Sequence, residues 1–128
     1  MAIKTDKIVT LLSGDMSFFY DSNAFWNNHV PSNLKVVLFN NSGGGIFRII
    51  PGPDTTNQLE TYFETQQNNT AEHICKQFGL SYLTAKDRNE LESAMESLYT
   101  TEGATVLEVF TDKEVNAATL KDYFQALL

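Results

Sequence analysis

The sequence predicts a doubly wound α/β fold, a mainly parallel sheet with helices on both faces, and three features carry that prediction. Short apolar runs rich in β-branched residues alternate with segments of helical period. Two of those runs end in turn-forming residues, Gly14-Asp15 and Asn40-Asn41, as strands do where they give way to loops. The chain has 128 residues, 42% of them hydrophobic, enough for one domain with its own core.

Residues 7–13 (KIVTLLS) read as a buried strand stopped by Gly14-Asp15. Residues 16–27 (MSFFYDSNAFWN) carry Met16, Phe19, Tyr20 and Ala24 at helical spacing and are expected to form a helix, with Phe18, Phe25 and Trp26 widening its apolar face. Pro31 lies in a polar link before a second buried strand at 34–39 (LKVVLF), and Ser42-Gly43-Gly44-Gly45 is the loop after it. Residues 46–53 (IFRIIPGP) are apolar but broken by two prolines, and 54–69 are polar. A long surface excursion is expected there, and long excursions often carry function. A helix over 70–78 stops at Gly79, a short strand covers 80–83, and a helix over 87–99 opens with Asp87 three residues before Glu90, in the manner of a capping box. Residues 104–110 (ATVLEVF) form another clear strand, and 111–128 a closing helix. Crossovers between parallel strands are expected to be right-handed.

Composition narrows the function. No stretch approaches the roughly 20 apolar residues that span a bilayer, and no basic segment followed by an apolar run opens the chain, so a soluble, cytoplasmic protein without membrane insertion is expected. Cys75 is the single cysteine and reads as a small buried hydrophobe on a helix. Nine basic against sixteen acidic side chains give a net charge of -7, the wrong sign for a nucleic-acid binder. His29 and His73 lack metal-ligand spacing, Ser13 and Ser42 have no histidine nearby in sequence, and Glu90, Glu92 and Glu96 read as a solvated helix face. With Arg48 and Arg88 as the only arginines, a phosphate site must rest on backbone amides or a metal.

The strand ends supply such a site. Ligands of open α/β sheets bind outside the carboxyl ends of the strands. If the strands before Asp15 and Asn41 are neighbours, their ends lie about 5 Å apart and both side chains can grip one ion. Magnesium takes six oxygens at about 2.0–2.1 Å and keeps water and phosphate among them. The Asp15 carboxylate, the Asn41 side-chain carbonyl and the Gly43 backbone carbonyl make three ligands, leaving positions for two diphosphate oxygens and a water. Gly14 permits close approach of a phosphate, and the amides of Met16 and Ser17 at the start of the expected helix offer donors.

Gly14-Asp15 followed after one β-α-β passage by Asn40-Asn41 resembles the motif of thiamine-diphosphate enzymes such as pyruvate decarboxylase and acetolactate synthase. The wording GDMSFFYDSNAFWN and VVLFNNSGGGIFRIIPGP is similar to one branch, the 2-succinyl-5-enolpyruvyl-6-hydroxy-3-cyclohexene-1-carboxylate synthases of menaquinone biosynthesis, and the likeness covers nearly the whole chain. The resemblance implies that the chain is the C-terminal, diphosphate-binding domain, residues 1–128, of a longer transferase. It implies thiamine diphosphate and Mg2+ as cofactors, with Asp15, Asn41 and Gly43 as metal ligands and Met16 and Ser17 at the diphosphate. Ile46 and Phe47 match the apolar wall beside the reactive ring and substrate, and Arg48 is a further candidate for a substrate carboxylate. Met16 departs from the wider motif, which has glycine there. The implied reaction is decarboxylation of 2-oxoglutarate and addition of the resulting carbanion equivalent to isochorismate. The activating glutamate is expected in a separate pyrimidine-binding domain, so no catalytic residue is assigned here, and the isolated chain is expected to be inactive. The parent enzyme is expected to be a homo-oligomer.

Two rival readings stay open. A free-standing, receiver-like regulatory module would use Asp15 with magnesium and a lysine after a late strand, which Thr111-Asp112-Lys113 matches only in part and which leaves Asn40-Asn41 without a role. A noncatalytic interaction domain would have no diphosphate affinity.

Overall fold

The computed structural model describes residues 2–127. The chain divides into two compact units, Met1–Asn40 with Thr70–Phe110, and Asn41–Asn69 with Thr111–Leu128.

The first unit is the α/β sheet that the sequence predicts. Its elements are β1 (Val9–Gly14), α1 (Asp15–Tyr20), β2 (Leu34–Asn40), α2 (Glu72–Phe78), β3 (Ser81–Ala85), α3 (Arg88–Thr100) and β4 (Thr105–Phe110). The four strands lie in the order β1-β2-β4-β3 and every pair is parallel. β2 and β4 are central and buried almost throughout, which is why both read as unbroken apolar runs rather than alternating ones. Alternate residues feed two cores. Val36, Leu38 and Val106 pack with Phe18 of α1 and Cys75 of α2 on one face, while Val37, Leu107 and Val109 pack with Ala94 and Leu98 of α3 on the other. Cys75 is fully buried, as its sequence context suggests. Burial, and then the charge of Glu108, push its thiol up to about 12.

Two expectations need correction. The first strand is not buried: among the described residues β1 is an edge of the sheet, paired with β2 alone, and Leu11 and Leu12 are 47% and 66% exposed. The helix expected over 16–27 ends at Tyr20, and a 3-10 turn over Ser22–Phe25 follows. Asp21, Ser22 and Asn23 are three successive weak helix formers, and at Asp21 the backbone leaves the helical region (φ -103, ψ 18). Phe18 and Phe25 still meet, with ring centroids 5.6 Å apart.

Capping sets the other boundaries. Asp87 accepts a hydrogen bond from the Glu90 amide at 2.9 Å, and Glu90 returns one, accepting at 2.8 Å from the Lys86 amide rather than from that of Asp87 itself. The buried stripe of α3, Ala94 and Leu98, then recurs at the spacing of four that places residues on one helix face. Gly79 closes α2 with φ +70, the left-handed conformation that glycine adopts without penalty. At the amino end of the sheet the buried Lys35 ammonium donates to the carbonyls of Thr101 and Gly103 and to Thr105 Oγ1 at 2.7, 2.7 and 3.0 Å. Burial lowers its pKa from the ordinary lysine value.

The second unit is less irregular than a surface excursion was expected to be. It contains short 3-10 turns at Gly45–Arg48 and Pro53–Thr55, a π-helical turn at Leu59–Phe63, and the closing helix α4 (Lys113–Ala126). Asp112 starts α4 by accepting from the amides of Val115 and Glu114 at 2.9 and 2.8 Å, and these bonds hold its carboxyl below the usual value. No helix among the described residues is long and apolar enough to cross a membrane.

Replacing Asp87 with Ala removes the α3 cap, an effect of about 1 kcal/mol. Hydrogen exchange at the Glu90 amide is expected to accelerate about fivefold, the rate equivalent of that loss. An unchanged exchange rate would show that the cap contributes nothing to the first turn of α3.

Candidate functional site

The carboxyl edge of the sheet is built from strands that end nearly level. Gly14 pairs in register with Phe39, and Asn40 with Phe110. The chain turns into α1 at Gly14-Asp15 and leaves β2 at Asn40, so the predicted motif residues follow directly from these strand ends.

In the first unit, Gly14 is exposed and a Cβ there would meet nothing within 4 Å. Its lack of a side chain serves no internal packing and leaves the backbone open to approach from outside. Asp15 is 2% exposed, and its Oδ1 accepts from the Met16 amide at 2.8 Å. Met16 thus spends its N–H on the neighbouring carboxylate, while Ser17 is exposed one residue further on.

Below the edge lies a polar cluster that sequence reasoning missed. Glu108, with 0% exposure, accepts from Asn40 Nδ2 at 2.7 Å, from the Ala71 amide at 3.0 Å and from the Tyr82 hydroxyl at 2.5 Å. Burial, with the Glu108 carboxylate second, raises the Tyr82 phenol well above its ordinary pKa. The available signal was a lone carboxylate inside the apolar run ATVLEVF, which has to find donors within the fold.

In the second unit, Asn41, Gly43, Ile46, Phe47 and Arg48 lie within one short stretch. Two glycines shape it. Gly43 has φ +152, and a Cβ there would lie 2.7 Å from the Glu64 carbonyl oxygen, so no side chain fits. A Cβ at Gly45 would lie 2.5 Å from Asn41 Nδ2, so Gly45 leaves room for the Asn41 amide. The Gly44 amide donates to Glu64 O at 2.7 Å. Ile46 is 55% exposed, and Phe47 is half-buried with its ring 5.7 Å from that of Phe63.

Arg48 is held by acids. Its Nη2 donates to Glu64 Oε2 and to Glu60 Oε1, both at 3.0 Å, and its Nε lies against Glu64 Oε1. Lys113 Nζ joins the same carboxylates at 3.1 Å to Glu60 and 3.5 Å to Glu64. Glu64, and then Glu60, raise the pKa of the guanidinium, while Lys113 and Arg48 lower that of Glu60. Asp112 caps α4 and Lys113 belongs to this network, so these two residues of the partial receiver match, Thr111-Asp112-Lys113, have structural roles.

Each candidate ligand is an oxygen donor of the kind magnesium prefers: in the first unit the Asp15 carboxylate, and in the second the Asn41 side-chain carbonyl and the backbone carbonyl of Gly43, a glycine that tolerates no Cβ. No group of three or more His, Cys, Asp and Glu side chains placed to hold a metal occurs among the described residues.

Comparison with known proteins bears on the same residues. The family model described as "Thiamine pyrophosphate enzyme, C-terminal TPP binding domain" matches residues 1–109. A protein of Flavobacterium johnsoniae is 46% identical over 127 residues, covering 98% of this chain and 23% of that protein. Relatives from Cytophaga hutchinsonii and Christiangramia forsetii are 46% and 42% identical, covering 95% and 96% of this chain and 22% of each protein. All three are named 2-succinyl-5-enolpyruvyl-6-hydroxy-3-cyclohexene-1-carboxylate synthase. The chain spans less than a quarter of the length of these relatives.

Substituting Gly43 with Ala forces a Cβ onto the Glu64 carbonyl and is expected to disturb the Gly44–Glu64 hydrogen bond. Strain of this kind costs about 1–3 kcal/mol, and faster hydrogen exchange at the Gly44 amide is the expected readout. Exchange at the wild-type rate would mean that the segment accommodates a side chain.

Proposed function

This chain belongs to the family of C-terminal, TPP-binding domains of thiamine pyrophosphate enzymes, and from that premise we propose that it holds the diphosphate end of the cofactor in a 2-succinyl-5-enolpyruvyl-6-hydroxy-3-cyclohexene-1-carboxylate synthase. The observation that carries the proposal is identity of 42–46% to synthases of that name over nearly the whole chain. The receiver-like reading loses its ground, because family membership accounts for the Asn40-Asn41 pair that it left without a role.

In this proposal the Asp15 carboxylate, the Asn41 side-chain carbonyl and the Gly43 backbone carbonyl hold Mg2+, and the turn from Gly14 to Ser17 faces the diphosphate. Thiamine diphosphate, when bound, supplies the electron sink for decarboxylating a 2-oxo acid. Ile46 and Phe47 form an apolar wall that keeps water from the reacting carbon. Exclusion of water favours loss of a carboxylate, since the charged starting state gains least from a dry site. Arg48 already has two carboxylate partners. It meets a substrate carboxylate only by exchanging one of them, and Glu60, 58% exposed against 2% for Glu64, is the one it releases more readily.

The substrates follow from the relatives' name and the family chemistry: 2-oxoglutarate as donor and isochorismate as acceptor, in the cytoplasm, in a pathway to menaquinone. The enzyme also needs a pyrimidine-binding domain, where a glutamate activates the cofactor, and it works as a homo-oligomer. The chain is then one C-terminal domain of that longer polypeptide.

In the complete polypeptide that carries this chain, Asp15→Ala is expected to abolish Mg2+-dependent binding of thiamine diphosphate in titration calorimetry. The far-ultraviolet circular dichroism should stay the same, because Asp15, although buried, opens α1 outside the two apolar cores of the sheet. Cofactor affinity equal to the wild type would count decisively against the metal assignment.

A further inference from the structure

Burying a carboxylate in the middle of a parallel sheet is unfavourable unless its oxygens are matched by donors, and the donors that Glu108 collects come from three separate segments. Asn40 donates to Oε1, whereas Ala71 and Tyr82 donate to Oε2. Glu108 stands on the central strand β4, level with Leu38 of β2 and Thr84 of β3. Two of its donors have a particular place in the chain. Asn40 is the last residue of the first unit before residues 41–69 depart, and Ala71 is the second residue after they return. One buried side chain therefore ties down both ends of the excursion.

We infer that Glu108 is a positioning residue for the cofactor-binding segment. By fixing the points at which residues 41–69 leave and rejoin the sheet, its carboxylate sets the origin from which Asn41 and Gly43 reach their ligands. The inference rests on the proposed role of Asn41 and Gly43 at the diphosphate. Glu108 touches no reacting atom and acts only through Asn40 and Ala71.

The alternative, that Glu108 is ordinary internal polarity, is separable because the sheet contains a second buried charge of comparable form. Lys35 satisfies its three donors on Thr101, Gly103 and Thr105, none of which adjoins the excursion. A glutamine at 108 keeps the shape of the side chain but carries no charge and has one acceptor oxygen, so it can accept from Asn40 or from the Ala71–Tyr82 side but not from both, and the bonds lose their charge assistance.

The experiment uses the complete polypeptide and measures Mg2+-dependent thiamine diphosphate binding by calorimetry, melting temperature, and the cofactor dependence of turnover. Glu108→Gln is expected to weaken cofactor binding about tenfold or more, the effect of losing a hydrogen bond to a charged group, with kcat at saturating cofactor within about twofold of wild type. Asn40→Ala, which removes the donor on the Oε1 side, should weaken binding in the same way and serves if Glu108→Gln does not fold. Lys35→Met should lower the melting temperature at least as much and leave cofactor affinity unchanged. Wild-type affinity in Glu108→Gln, or an equal loss of affinity in Lys35→Met, would overturn the inference. Asp15→Ala separates the two levels of failure. If it loses cofactor binding while Glu108→Gln does not, only the role of Glu108 falls; if Asp15→Ala binds as wild type does, the cofactor assignment falls and the role of Glu108 with it.

Discussion

In a parallel sheet every strand must leave by the same edge, and much of this structure follows from that constraint. The register of β1 on β2 and of β2 on β4 brings Gly14, Phe39, Asn40 and Phe110 to that edge. Asp15 follows directly on Gly14, and Asn41 on Asn40, and these are the two side chains to which the proposed function gives ligand roles. The same constraint requires long returns between strands, and those returns cover both faces of the sheet with helices. Two-sided burial then makes every polar residue in a central strand depend on an internal partner. Lys35 finds carbonyls at the amino end of the sheet, and Glu108 finds donors toward the carboxyl end.

The electrostatics point the same way. The chain carries a net charge of -7 and two arginines, and neither arginine stands ready for a phosphate. Arg48 is engaged by Glu60 and Glu64, and Arg88 forms an exposed pair with Glu92 at 3.2 Å on α3. Under the proposed function, an acidic domain of this kind would hold a diphosphate through a divalent cation, which reverses the local sign of the charge, and through backbone groups left accessible by glycine. Gly14, with open space at its missing Cβ, and Gly43, with none, contribute in opposite ways: one leaves room for a visitor and the other allows a close turn of the chain.

The sequence revealed most where a single physical factor decides the structure. β2 and β4 are legible because burial on both faces leaves no alternation to confuse the pattern, and α3 because Asp87 marks its start. β1 misleads for the same reason: its leucines are apolar, but position at a sheet edge is a tertiary fact that local pattern does not encode. Residues 16–27 show helical spacing, yet the weak helix formers Asp21 to Asn23 decide where the helix ends. At the candidate site, the strand-end residues Asp15 and Asn41 can be found from turn chemistry and from resemblance to a known motif. Glu108 cannot be placed that way, because its donors come from residues 26 to 68 positions away in sequence. Glu64 is hidden for a similar reason, since its match to Arg48 and Lys113 forms only when the excursion folds.

The proposed function requires a divalent cation, bound by residues that follow the carboxyl ends of these strands, to carry the diphosphate. Its most direct test is a crystal of the complete polypeptide with thiamine diphosphate and Mn2+ in place of Mg2+, with the ion located by its anomalous scattering. One peak is expected, with the Asp15 carboxylate, the Asn41 side-chain oxygen and the Gly43 carbonyl about 2.0–2.3 Å away, the range of metal–oxygen bonds for small divalent cations. A peak coordinated by other residues, or Asp15 and Asn41 more than about 8 Å apart and so too distant to share an ion, would contradict it.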